Sequence, residues 1–144
     1  MGLDAYVYRN RERLAFDPSV PNVSIDDTTG LISFDDPELY RQFHGHVIAV
    51  HCRIGNIAHI DQLRAEIDEI PGCLLPIILE QVLGNGSHCG DFIDLSLREA
   101  LQREVDFLFT LTERNRSSSI QEFLSQMSDL IRAAKSENNP IYFG

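Results

Sequence analysis

Lysine is almost missing from this chain: Lys135 is the one ammonium side chain among twelve basic residues, so nearly all the positive charge is guanidinium. Guanidinium suits rigid recognition of carboxylate or phosphate, although genome base composition accounts for the bias equally well. Cysteine is scarce too. Cys52, Cys73 and Cys89 cannot all pair within one chain, and the first residues lack the charged region and long apolar run of a secretory signal, so a reducing cytoplasm is the expected location. Long apolar runs are also absent: the stretch from Leu74 to Leu79 is broken by Pro76 and falls far short of the roughly 20 residues that cross a bilayer. No membrane span or membrane partner is expected. The Met1-Gly2 start does not make a myristoylation site, because Tyr6 stands where Ser or Thr is required. Twelve basic against twenty-two acidic residues leave a net charge of -10, which repels a polyanion and argues against nucleic acid as a partner.

What remains is an ordinary globular composition, 43% apolar and 24% charged over 144 residues, the size of a single domain spanning 1–144. Leu3, Ala5 and Val7 alternate with Tyr6 and Tyr8, which predicts a strand. Residues 10–23, with Pro18 and Pro21, read as a loop whose Arg9, Arg11 and Arg13 form a solvated face or a patch for an acidic partner. Ser24–Phe34 predicts a β-hairpin turning through Asp26-Asp27-Thr28-Thr29-Gly30. Asp36 and Pro37 open a helix to about Phe43. Beyond it the period is ambiguous: Val47, Ile48 and Val50 suit a strand over 46–53, whereas Leu39, Phe43, Val47, Val50 and Ile54 suit one continuous helix, and Gly45 favours the strand.

Ile57, Ile60, Leu63, Ile67 and Ile70 recur at helical spacing up to Pro71-Gly72. A short buried helix follows, with Pro76 in its first turn. Ser96 with Glu99, and Ser119 with Glu122, have capping-box spacing and predict two further helices, to about Glu113 and up to Asn138, paired as an antiparallel hairpin. Ile141–Phe143 can return as an edge strand. These elements give an α+β fold, a small antiparallel sheet packed against four or five helices. Its predicted core is Val7, Ile60, Leu63, Ile67, Ile78, Leu101, Val105, Leu108, Phe123, Met127 and Ile131.

Candidate chemistry is thinly spread. His44 and His46 would share one face of an extended chain and are the weak candidates for a metal; Cys52 would lie too far along the strand to join them. Neither CxxC nor HExxH occurs, so no metal site and no cofactor is expected, and Cys52 and Cys73 read as small buried hydrophobes. The loop Gly86-Ser87-His88-Cys89-Gly90-Asp91 gathers a hydroxyl, an imidazole, a thiol and a carboxylate on glycine-rich backbone. It fits neither the GxSxG elbow nor the phosphate-cradling GxxxxGK[ST]. Ser87, His88 and Asp91 therefore read first as turn-holding residues and second as ligand or catalytic candidates. Arg53-Ile54-Gly55-Asn56 opens a helix whose orphan amides, with Arg53 alongside, could hold an anion; Asn56 as a cap and Arg53 paired to a carboxylate explain it as well.

The start Met1-Gly2-Leu3-Asp4, the step Arg53-Ile54-Gly55-Asn56, the loop Gly86–Asp91 and the ending Asn139-Pro140-Ile141-Tyr142-Phe143-Gly144 resemble an uncharacterised bacterial family of small proteins that begin MGLD. The resemblance implies no activity, and no catalytic residue comes with it. Acidic charge and the lack of a complete catalytic constellation point to a non-catalytic binding protein, immunity-like, that docks a basic partner and could form a homo-oligomer. The alternative is a small-molecule hydrolase or metal-dependent enzyme using His88 and Asp91 of the 86–91 loop.

Overall fold

The computed structural model describes residues 2–84 and 90–144; Ser87, His88 and Cys89 lie outside them. The first strand, β1 (Gly2–Tyr8), buries Leu3, Ala5 and Val7 and turns Asp4 and Tyr6 the other way, as its alternation predicts. The predicted hairpin forms from β2 (Val23–Ile25) and β3 (Ile32–Phe34). Asp26 shapes its turn by accepting from the backbone of Thr28 and Thr29 at 2.7 and 3.2 Å, and Gly30 takes a φ of +74° there. The hairpin is a separate two-stranded sheet, not part of the main one.

The first helix, α1 (Pro37–Val47), starts as expected, with Asp36 Oδ1 accepting from Glu38 N at 2.8 Å. It does not stop at Phe43. Leu39, Phe43 and Val47 hold one face by their i, i+4 spacing, Phe43 packs on Phe16 at 4.5 Å, and Gly45 sits exposed, so the helix runs through it. The strand β4 (Ile48–Asn56) therefore begins two residues later than expected and continues to Asn56, which caps α2 (Ile57–Asp68) by accepting from His59 N at 2.9 Å. The short helix after Pro76 forms over Ile77–Val82 with π-helical bonding, Leu83 N reaching Ile78 O at 2.8 Å. Glu104 holds its start from outside, accepting from Ile77 N and Ile78 N at 3.0 and 2.8 Å.

Both expected capping boxes are displaced. Asp94, not Ser96, caps a 3-10 turn at Leu95–Leu97 that leads into α3 (Arg98–Leu111). Ser117, not Ser119, caps α4 (Ser118–Glu137), accepting from Ile120 N at 3.2 Å. Arg116 seals the α3–α4 connection by donating to Phe109 O, Thr112 Oγ1 and Gln121 Oε1. Helix α4 ends at Asn138, whose φ of 52° is the left-handed conformation that terminates helices.

Sequence reasoning passed over β5 (Phe92–Ile93), and β6 (Ile141–Phe143) is no edge strand: the main sheet is antiparallel in the order β4-β1-β6-β5. Helices α2 and α4 lie against one face, α3 packs on α4 and on the π-helical turn, and all eleven expected core residues are buried in the same core as Leu3, Ala5 and Val7. A second, smaller cluster forms on the opposite face, where Tyr8, Ile32 and Val47 meet Phe16, Phe34 and Ile48 beneath the hairpin and α1. Only part of that outer face is covered.

Candidate functional site

The uncovered part of the outer sheet face carries a linked set of polar and aromatic side chains. Asp4 on β1 lies opposite Arg53 on β4, and Tyr6 lies opposite His51. The Asp4 carboxylate accepts from His51 Nε2 at 2.8 Å and from an Arg53 guanidinium nitrogen at 3.1 Å. Because Nε2 carries the hydrogen given to Asp4, a neutral His51 keeps its lone pair on Nδ1. The His51 ring stacks on Tyr6 with centroids 4.5 Å apart. Tyr142 on β6 lies opposite both Tyr6 and Phe92, with its ring centroid 6.5 Å from that of Tyr6 and 6.1 Å from that of Tyr8.

Tyr40 of α1 completes the group. Burial, with Tyr142, Tyr6 and Tyr40 adding their charge, pushes the Tyr8 phenol up to about 12. Burial and the Asp4 carboxylate raise Tyr6 as well, with Tyr40 again contributing. All four tyrosines of the chain thus gather on this side of the sheet, with Tyr6, Tyr40 and Tyr142 reaching solvent and Tyr8 buried beneath them. Tyr40 is 51% exposed and stacks on His44 at 4.6 Å. Beside them runs the segment 14–40, which has six carboxylates, Asp17, Asp26, Asp27, Asp35, Asp36 and Glu38, and no basic residue.

The residues singled out by sequence fall into place unevenly. Arg53 is paired to Asp4, and Asn56 is a helix cap. Arg53, on β4, lays its guanidinium beside Gly2 and against the Asp4 carboxylate. His44 and His46 do not share a face: both are in α1, where two residues turn by about 200°. His44 instead donates from Nδ1 to Tyr40 O at 3.1 Å. Among the described residues no group of His, Cys, Asp or Glu is arranged to hold a metal. Cys52 and Cys73 are half-buried, and burial pushes both thiols up, which keeps them protonated and weakly reactive. Arg13 pairs with the buried Glu137 and Arg11 with Asp27, so the arginine triplet is partly tied down.

The glycine-rich loop ends at the same end of the sheet. Gly90 N donates to Phe143 O at 2.9 Å, Phe143 N donates to Asp91 O at 2.8 Å, and Gly144 exchanges two backbone bonds with Asp4. Arg53, Asp4, Gly144 and Gly90-Asp91 therefore form a row across the four strands, which separates Arg53 from Asp91 by about 14 Å at the usual strand spacing. No protein-family model, curated protein or solved structure matches the chain.

Two glycines make the row close. A side-chain carbon at Gly2 would lie 2.7 Å from Gly55 O, and one at Gly55 would lie 2.5 Å from the His59 ring. Sequence reasoning missed Asp4, His51 and the tyrosine cluster. The signal for half of it was present, since Tyr6 and Tyr8 face away from the core positions and His51 and Arg53 are two apart.

Proposed function

We propose that this chain is a non-catalytic interaction protein that docks a basic protein partner on its tyrosine face. The convergence of all four tyrosines beside a segment with six carboxylates and no base carries the reading. Tyrosine is enriched in binding surfaces because it offers a large rigid area and a polar tip, and its ring attracts arginine and lysine over its face. Adjacent carboxylates then supply charge complementarity and a fast encounter. An immunity-like role, neutralising a basic partner within a bacterial cytoplasm, follows from this charge logic and from the free thiols Cys52 and Cys73. No helix among the described residues is long and apolar enough to cross a membrane.

The test is affinity capture from the source cell at low salt with the wild-type chain and a Tyr40→Ser/Tyr142→Ser variant. A stoichiometric basic protein held by the wild type and lost by the variant supports the reading. Recovery of no such protein, or its equal retention by both chains, sinks it.

A second reading has one observation behind it: the Asp4–His51 hydrogen bond stands at the sheet end where Gly90 and Asp91 are anchored. Asp4 would orient an imidazole base in a small-molecule hydrolase. Turnover of ester or phosphoester probes that disappears in His51→Ala, with folding intact, favours this reading over the first.

A further inference from the structure

The outer strand of the main sheet, β4, has no strand on its second side among the described residues. Which of its backbone groups face outward follows from the neighbouring pairs. Asp4 exchanges both main-chain bonds with Gly144, so Asp4 and Tyr6 point toward β6, and Ala5 and Val7 point toward β4. Their partners Cys52 and Val50 point back, which leaves the amide and carbonyl of His51 and Arg53 on the open edge. Gln126 confirms the direction by donating from its side chain to Arg53 O at 2.9 Å. The register shifts opposite Leu3/Asp4 and Val7/Tyr8 confine the flat part of the edge to Val50–Arg53. Among the described residues of this stretch, His51 is thus the one whose outward amide and carbonyl both lack a side-chain hydrogen bond.

The geometry points to a second copy of this chain as the occupant of this edge, paired β4 to β4 about a two-fold axis through His51. A window centred on one outward residue gives a long peptide little ladder, but it suits self-pairing, because each His51 then donates to and accepts from the other. Charge agrees with this choice. Strand β4 contains no carboxylate, although the chain as a whole carries -10. The flanking groove, about 430 Å³ between β4 and α4, has Arg9 and Arg132 facing Asp129 and Glu137, and Glu137 is already paired with Arg13. Two acidic chains can approach here without like-charge repulsion. The pairing makes one eight-stranded sheet and puts both tyrosine faces on the same side.

Sedimentation velocity over about a hundredfold range of concentration tests this. The wild type forms a concentration-dependent dimer. His51→Pro removes the outward amide without touching the β1–β4 ladder and weakens dimerisation at least about tenfold, while His51→Ala, which keeps the amide, does not. As a readout independent of the proline variant's folding, His51→Cys in a Cys52→Ser/Cys73→Ser/Cys89→Ser background forms an intermolecular disulfide on oxidation. The paired Cα atoms would stand about 5.5 Å apart, within the range such a bond spans. A wild type that stays monomeric, a dimer indifferent to His51→Pro, a cysteine variant that fails to cross-link, or an edge that takes a foreign extended peptide in place of its copy overturns the inference.

Discussion

Tyr6 and His51, opposite each other on β1 and β4, stack with planes only 6° from parallel. The imidazole is therefore held from two directions, by the ring beneath it and by the Asp4 carboxylate at its Nε2. Its position depends on the register of the two strands and not on a loop.

Replacing Asp4 with Asn should cost about 0.5–1 kcal/mol in urea unfolding, because both its partners are largely solvated and such exposed pairs contribute little. The local effect should be larger than the global one. The His51 side-chain resonances should broaden and shift in the variant while the core methyl spectrum stays unchanged.

Tyr8 predicts a loss of stability in base. Its phenol ionises near 10 in the unfolded chain and at about 12 in the folded one, so the folded state retains the proton that the unfolded state releases. The contribution is fully present below pH 10 and fades as pH rises toward 12, on the order of 2 kcal/mol in all. Absorbance of phenolate at alkaline pH, followed together with circular dichroism, should show Tyr8 ionising last of the four tyrosines, after the also raised Tyr6, and in step with unfolding. Its ionisation at the ordinary pH would contradict the buried site.

Two glycine-to-alanine changes should differ in sign. Gly2→Ala drives a methyl against the Gly55 carbonyl, which can move only by shifting the β1–β4 ladder, and should destabilise by about 1–2 kcal/mol. Gly45→Ala meets nothing within 4 Å in the last turn of α1 and should stabilise by about 0.5 kcal/mol. Paired thermal melts decide between these outcomes and equal effects.

Glu104→Ala should release the π-helical turn. It strips two backbone amides, at Ile77 and Ile78, of their acceptor, a cost of about 1–3 kcal/mol. Hydrogen exchange should speed up across residues 77–82 well before it changes in α4.

Burial was legible in the sequence because it follows period: every expected core residue is buried, and β1, the hairpin and α2 formed where alternation and helical spacing put them. Boundaries were less legible. Gly45 is a poor helix former, yet Phe43 and Val47 gain enough contact with Phe16 and the outer cluster to carry α1 past it. The caps slipped to Asp94 and Ser117 because several serines and aspartates offer the same oxygen, and three-dimensional packing selects among them. The site was hardest to read. Asp4, His51 and Tyr142 come from three distant segments, and two-residue β5 has no periodic signal to reveal the neighbour that completes the sheet.

Strand β1 lies between β4 and β6, and Tyr8 O takes a bond from Asn139, 131 positions further on. At a synthesis rate of about 5–20 residues per second, the ribosome needs roughly 7 to 26 s to make that intervening chain. Throughout this interval one flank of an aromatic strand stands open on the nascent protein, available to any wrong strand until the right one is translated.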